Sequence, residues 1–160
     1  MSWDVALVRI RGVFHPIDEV EEADYLPLGD PASVRKAIRS TFPTAEWSNS
    51  DWAVYCGKDF QIEFSLSGVA SHNAIVLHVH GTGDPIRPLL KLTESNGWLA
   101  VDCSTGQFID PQNPSYHGWE GFKALLDPTG ESVDGQPGDA ANCVARYIRG
   151  TSSSPALRRY

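Results

Sequence analysis

The sequence has little of what several classes of protein require. Its 160 residues contain only three cysteines, which lie far apart and show no C-x-x-C spacing. This argues against a disulfide framework or a cysteine zinc site, and we expect buried, reduced thiols. No apolar run approaches the roughly 20 residues that cross a bilayer, and the first residues form neither a basic nor an apolar export region. We therefore expect no membrane association and a cytoplasmic protein.

Basic residues are also scarce, with 13 Lys and Arg against 20 Asp and Glu, which gives a formal net charge of −7. Such a chain is not attracted to nucleic acid or to anionic lipid, so a charged partner is expected to be a basic protein. The acidic residues concentrate between positions 15 and 30, a stretch without Lys or Arg. There Asp18, Glu19, Glu21 and Glu22 predict an exposed acidic loop that would face such a partner.

Catalytic and cofactor signatures are missing as well. There is no G-x-S-x-G motif, and the glycines of Gly81-Thr82-Gly83 are followed by neither a Walker lysine nor a G-x-G-x-x-G pattern. The Asp84 carboxylate would already accept from the free backbone amides at the start of the helix that follows. Helix capping is therefore favoured over phosphate binding at this segment. Cys103 lies beside Asp102, but no spacing links it to a histidine. We predict no catalytic residue and no cofactor.

What the sequence does contain is alternating apolar runs and two helix-opening signals. Strand patterns occupy residues 3–11, 52–56, 60–66, 75–80, 98–102 and, after a turn, 107–110. Asp30-Pro31 and Asp84-Pro85 each precede a helical stripe. These patterns predict an α+β fold, with a mixed, largely antiparallel sheet of five or six strands and two helices on one face.

The expected organisation is a single α+β domain over residues 1–150, with a core at 1–110, a packed C-terminal arm at 111–150 and a flexible tail at 151–160. Within the arm, Trp119, Phe122 and Leu126 predict a short amphipathic helix. Asp139 caps a second helical pattern, which ends at Gly150.

Strand alternation also predicts which side chains lie on the outer face of the sheet, away from the helices. The expected set is Trp3, Val5, Leu7, Ala53, Tyr55, Gln61, Glu63, Val76, His78 and His80. A surface that mixes aromatic, aliphatic and histidine side chains is typical of a protein interface. We therefore predict partner binding through Trp3, Tyr55, Glu63, His78 and His80, together with the acidic loop. The alternative is that the C-terminal arm covers this face.

His78 and His80 support a second hypothesis. Side chains two residues apart on a strand point the same way, so these imidazoles could bind one metal ion and serve a metal-dependent hydrolase. A third ligand would come from Asp84, His72, His117 or Glu63. Paired histidines on a strand are more often ordinary surface or interface residues.

Residues 1–110 resemble a loosely defined group of small uncharacterised bacterial proteins. The resemblance rests on the Met-Ser-Trp-Asp-Val start, on Gly81 to Pro85, and on Gly97, Trp98, Asp102, Ser104, Thr105, Gly106 and Phe108. Such proteins are similar in size and acidity to immunity proteins of bacterial toxin systems. The resemblance implies a non-enzymatic protein that binds and blocks a cognate toxin.

Overall fold

The computed structural model describes residues 1–12, 19–66 and 73–126, and these form an α+β fold around one antiparallel sheet. The eight strands are β1 (Trp3–Ile10), β2 (Tyr25–Leu26), β3 (Glu46–Asn49), β4 (Trp52–Gly57), β5 (Phe60–Ser65), β6 (Ala74–Gly81), β7 (Leu99–Asp102) and β8 (Gln107–Phe108). The α-helices are α1 (Pro31–Thr41), α2 (Ile86–Asn96) and α3 (His117–Leu125), and a 3-10 turn covers Glu22–Asp24.

The sheet is open and has the order β3-β4-β5-β6-β1-β7-β8, with β2 pairing to the end of β1. Every described strand pair is antiparallel. The prediction of a largely antiparallel sheet is thus confirmed, but the predicted five or six strands are too few. The strand predicted at 107–110 is found as β8 (Gln107–Phe108), whereas the additional strands β2 and β3 are two and four residues long, too short to produce a recognisable alternation.

The helices begin and end largely where the sequence predicts. Asp30 caps α1, and its Oδ1 accepts a hydrogen bond from the Ser33 amide at 3.0 Å. Helix α2 starts one residue later than its Asp-Pro signal, although Asp84 Oδ1 still accepts from the Ile86 amide at 3.1 Å. The left-handed Gly97 (φ 66°) ends α2.

All three helices lie on one face of the sheet, which we call the inner face. Helices α1 and α2 contact each other, as predicted, and α3 packs on β1. Helix α3 confirms the short amphipathic helix expected from Trp119 and Phe122, both of which are buried. The predicted helix beginning at Asp139 and the tail at 151–160 lie outside the described residues.

Strand register corrects the predicted outer face. Val5 of β1 pairs with Leu77 of β6, and Tyr55 of β4 pairs with Ile62 of β5. Leu77 and Ile62 are fully buried in the helix-covered core. The residues wrongly assigned to the outer face, which instead share the inner face, are Trp3, Val5, Leu7, Ala53 and Tyr55. The outer face is formed by the alternate residues, including Asp4, Val54 and His78.

The Gly-Thr-Gly segment has a structural explanation. The amides of Thr82 and Gly83 both donate to the carbonyl of Asp59, in the β4–β5 hairpin, at 2.7 and 2.8 Å. A Cβ atom at Gly83 would collide with the carbonyl oxygen of Lys58, and one at Gly81 with that of Asp59. Glycine is therefore required because two backbone segments touch here.

The cysteines differ from the expectation of buried, reduced thiols. Cys56 is disulfide-bonded, whereas Cys103 is a free and exposed thiol. The prediction was wrong because sequence separation does not show which cysteines the fold brings together. Among the described residues, no helix combines the length and the apolar character that a membrane crossing needs.

Candidate functional site

Two carboxylate–imidazole pairs lie side by side on the outer face of β1, β5 and β6. Strand register aligns Glu63, His78 and Asp4 in one row across the three strands. His78 Nδ1 is 2.9 Å from Asp4 Oδ1, and the two side chains are 35% and 41% exposed. Ser2 Oγ donates a second hydrogen bond to the same Asp4 oxygen at 2.7 Å.

The electrostatics of Asp4 follow from these contacts. Partial burial alone would raise its pKa, but the hydrogen bonds from Ser2 and His78, together with the nearby imidazoles, lower the pKa overall. Asp4 therefore stays ionised, and its negative charge is only partly shielded from solvent.

The second pair joins Glu63 to His80. His80 Nε2 lies 3.4 Å from Glu63 Oε1, while its Nδ1 lies 3.1 Å from the carbonyl oxygen of Met1. The hydrogen bond with Glu63 is the main cause of a raised His80 pKa, and it outweighs the opposing effect of burial. Gln61 Nε2 also donates to Glu63 at 3.0 Å. Mild acidification therefore charges His80 readily.

The other sequence-predicted site residues do not join this cluster. Trp3 is 2% exposed and packs on Trp119, and Tyr55 packs on Phe42 beneath α1. Trp3 belongs to the core and Tyr55 is partly buried against it, so neither is available on the outer face. Glu19, Glu21 and Glu22 are exposed, as predicted, and Asp18 lies outside the described residues.

Asp4 is the residue that sequence analysis missed. It follows Trp3 in an apolar strand, and nothing in the local pattern links it to a histidine 74 positions away. Only the antiparallel pairing of β1 with β6 brings them together. An estimate of the pairing register between β1 and β6 was the one signal that would have identified Asp4.

The motif residues Trp3, Asp102 and Ser104 form a separate hydrogen-bonded cluster, in which Trp3 and Asp102 are buried on the inner side and Ser104 is exposed. Asp102 Oδ1 accepts from Trp3 Nε1 at 3.1 Å, from the Ser104 amide at 2.8 Å and from Ser104 Oγ at 2.6 Å. The Asp102 side chain also fills the space beside Gly118 of α3. Asp102 is 5% exposed and its Oδ1 alone accepts three hydrogen bonds, so we assign it a structural role.

A groove of about 550 Å³ lies between the N-terminus, the turn after β7 and helix α3. Cys103 and His117 line it together with the apolar side chains of Met1, Phe122 and Leu125. Partial burial of the Cys103 thiol, with Asp4 and Asp102 nearby, raises its pKa. A thiol with a raised pKa is a poor nucleophile at neutral pH.

The arrangement around the two histidines resembles no metal centre. Within residues 1–12, 19–66 and 73–126, no three or more His, Cys, Asp or Glu side chains converge as metal ligands would. Each imidazole instead faces a carboxylate, at Asp4 or Glu63. Of the third ligands considered, Asp84 caps α2 and His117 lies at the groove, whereas His72 is outside the described residues.

Fold and site together define an α+β domain with an open antiparallel sheet whose outer face carries a half-exposed acidic and histidine cluster. Comparison of the chain with protein-family models, with curated proteins and with solved structures gives no match.

Proposed function

We propose that this chain is a non-enzymatic cytoplasmic protein-binding domain, and that it neutralises a basic toxin in the manner of an immunity protein. The observation that carries the proposal is the outer-face cluster of Asp4, Glu63, His78 and His80 beside Val76. Val76 is 38% exposed, one of the few large apolar side chains of the described residues that face solvent. The described helices all lie on the opposite face.

Charge favours a basic partner. Asp4 and Glu63 place two carboxylates on this face, Glu19, Glu21 and Glu22 are exposed, and the formal net charge is −7. Complementary charges accelerate encounter and orient the partner, while an apolar contact at Val76 would slow dissociation. The same charges repel acidic proteins and nucleic acid.

The chemistry of the cluster also favours binding over catalysis. Imidazole nitrogens are held by Asp4 and Glu63, and the free thiol of Cys103 has a raised pKa. The hydrolase hypothesis for His78 and His80 is tested by metal analysis of purified protein, with His80→Ala as control. Stoichiometric Zn, Mn, Fe or Ni that this substitution removes would favour the hydrolase over the binding protein.

Growth rescue is the direct test. If a toxin-like gene is found immediately upstream, the two genes are co-expressed, and we expect relief of the growth arrest that the toxin alone causes. The Asp4→Asn, Glu63→Gln double variant should lose rescue and bind the toxin more weakly in calorimetry. Glu94→Gln removes a charge from an exposed position on α2 and serves as the matched control.

A failure of wild type to relieve the arrest would refute the immunity function. Equal affinities of the double variant and wild type would show that this face is not the docking surface. Added salt should weaken wild-type binding more than that of the double variant, because salt screens exposed charges.

Binding should also depend on pH. Between about pH 7.5 and 5.5 the imidazole of His80 becomes charged, and the added positive charge repels a basic partner. The nearby titratable groups are Asp4, Glu63 and the Met1 amine. We expect weaker binding at the acidic end for wild type and a flatter profile for His78→Gln, His80→Gln. Identical pH profiles for wild type and the double variant would show that the histidines do not lie on the docking surface, and would favour the acidic loop instead.

A further inference from the structure

The groove beside helix α3 collects most of the exposed apolar surface of the described residues. Among these residues, three large apolar side chains are markedly exposed, namely Met1 at 82%, Leu125 at 71% and Val76 at 38%. Met1 and Leu125 both line the groove, and the largely buried ring of Phe122 contributes to its wall. Exposed apolar side chains that share one concave site are typical of a binding surface.

One wall of the groove is open because helix α3 carries a glycine there. Gly121 lies in the middle of the helix, where glycine lowers helix stability. A Cβ atom at Gly118 would collide with the carboxylate of Asp102, whereas one at Gly121 would meet no neighbouring atom within 4 Å. Packing therefore does not require glycine at position 121, and its effect is to leave space in the groove that it lines.

The groove is negatively charged. Asp4 is the one carboxylate among the described residues that line it. Burial is the main cause of the raised pKa of the Cys103 thiol, and the negative charges of Asp4 and Asp102 raise that pKa further. Because Cys103 lines the groove, both carboxylates act inside it. The positive Met1 amine acts instead on His80, at the outer face.

The groove is continuous with the outer-face cluster. Asp4 lines the groove and also pairs with His78, 2.9 Å away. Met1 lines it too, and its carbonyl oxygen lies 3.1 Å from His80 Nδ1. Val76 lies two residues before His78 on β6 and therefore shares its face. A protein that binds the outer face would reach the groove without leaving the surface.

We propose that the groove binds a segment of the basic partner in which a large apolar side chain, aromatic for preference, stands next to Arg or Lys. The apolar side chain packs on Phe122 and Leu125, and the cation pairs with Asp4. The groove volume of about 550 Å³ lies within the roughly 300 to 1,000 Å³ of ligand pockets, which accommodates two such side chains. The inference rests on the proposed function, because it names the part of that partner that enters the site.

The two parts of such a segment have different effects. Burial of the apolar side chain in a concave site slows dissociation, because large side chains in shielded pockets contribute most of the binding energy. The cation orients the segment and selects it, since an acidic segment is repelled by Asp4 and Asp102.

The first experiment uses capped tetrapeptides with the full chain and does not require the natural partner. The probe Gly-Arg-Phe-Gly, acetylated and amidated, is titrated into isotope-labelled protein while amide chemical shifts are recorded. We expect saturable shifts at Ser104, Gly118 and Gly121, with a dissociation constant of about 1 mM or below. The probes Gly-Glu-Phe-Gly and Gly-Arg-Gly-Gly should bind at least about tenfold more weakly. Absence of saturable shifts at these residues, or equal binding of the three peptides, would overturn the proposal.

Substitutions locate the site. Gly121→Leu fills the groove and should abolish probe binding, whereas Ala124→Leu adds the same side chain at an exposed position of α3 that does not line the groove, and should bind like wild type. Thermal unfolding confirms that both variants are folded. Leu125→Ser, at a 71% exposed position, should weaken probe binding without affecting the fold. Asp4→Asn should remove the preference for the arginine probe over the glutamate probe, and Glu94→Gln should preserve it. Binding of the probe to Gly121→Leu as tightly as to wild type would refute the site.

The natural partner separates this inference from the proposed function. Gly121→Leu should weaken partner binding by about tenfold or more, mainly through faster dissociation, and Ala124→Leu should not. A partner that fails to bind wild type would refute the proposed function and this inference with it. A partner that binds wild type and Gly121→Leu equally, but binds the Asp4→Asn, Glu63→Gln variant weakly, would leave the outer face as the docking surface and refute the groove alone.

Discussion

The buried carboxylate of Asp102 offers the sharpest stability prediction. Substituting Asp102 with Ala removes one acceptor that three donors share, two from Ser104 and one from Trp3 Nε1. A hydrogen bond to a charged group contributes about 1.5 to 3 kcal/mol, and a buried donor left without a partner costs about 1 to 3 kcal/mol. Relief from burying the charge offsets part of this loss. We expect the free energy of unfolding to fall by about 2 to 4 kcal/mol.

The assay is urea unfolding followed by far-ultraviolet circular dichroism at neutral pH. Asp110→Ala is the matched control, because Asp110 accepts an exposed backbone hydrogen bond from Gln112, and its loss should cost under about 1 kcal/mol. In the Trp3→Phe background, Asp102→Ala should cost about 1 to 2 kcal/mol less than in wild type, since the indole donor is already gone. A cost near that of Asp110→Ala, or no coupling to Trp3, would refute the reasoning.

Three further predictions concern the glycines, the α1 cap and the histidine cluster. Gly83→Ala should destabilise the protein by about 1 to 3 kcal/mol, because the added Cβ would meet the Lys58 carbonyl. Gly121→Ala, whose Cβ would meet no atom within 4 Å, should instead stabilise α3 by about 0.5 to 1 kcal/mol. Urea unfolding of both variants checks this contrast. Asp30→Ala should lower the melting temperature because it removes the cap acceptor, whereas Asp30→Asn should keep most of the wild-type stability because its amide oxygen can still accept the bond; equal melting temperatures of the two variants would contradict the cap. The pKa of His80 is raised in the folded protein. The pairing of His80 with Glu63 therefore stabilises the fold below about pH 6.5, and this stabilisation is lost as the pH rises through the folded-state pKa. His80→Gln should therefore be less stable than wild type in mildly acidic urea titrations and nearly equal to it in alkaline ones.

Local sequence was sufficient for the elements with strong patterns. The cap at Asp30, the stop at Gly97 and the amphipathic stripe of α3 depend on neighbours within a turn or two, and each is found where its pattern indicates. The class of the fold follows from the same elements.

The candidate site was only partly predictable. His78 and His80 were placed on the outer face from the alternation of β6, and Glu63 from that of β5, because each strand has one apolar and one polar row. Strand β1 has apolar residues in both rows, so its pattern was compatible with either orientation. Trp3 was consequently assigned to the wrong face, and Asp4 was overlooked.

Tertiary structure decided the remaining features. The pairing of β1 with β6 aligns Val5 with Leu77 and Asp4 with His78, and this register orients every side chain of β1. Likewise, Trp3 and Asp102 meet across 99 positions because β1 pairs with β7. Capping and periodicity are short-range properties that a sequence displays directly. The register between distant strands depends on which apolar rows share one core, so it exists only once the chain has folded.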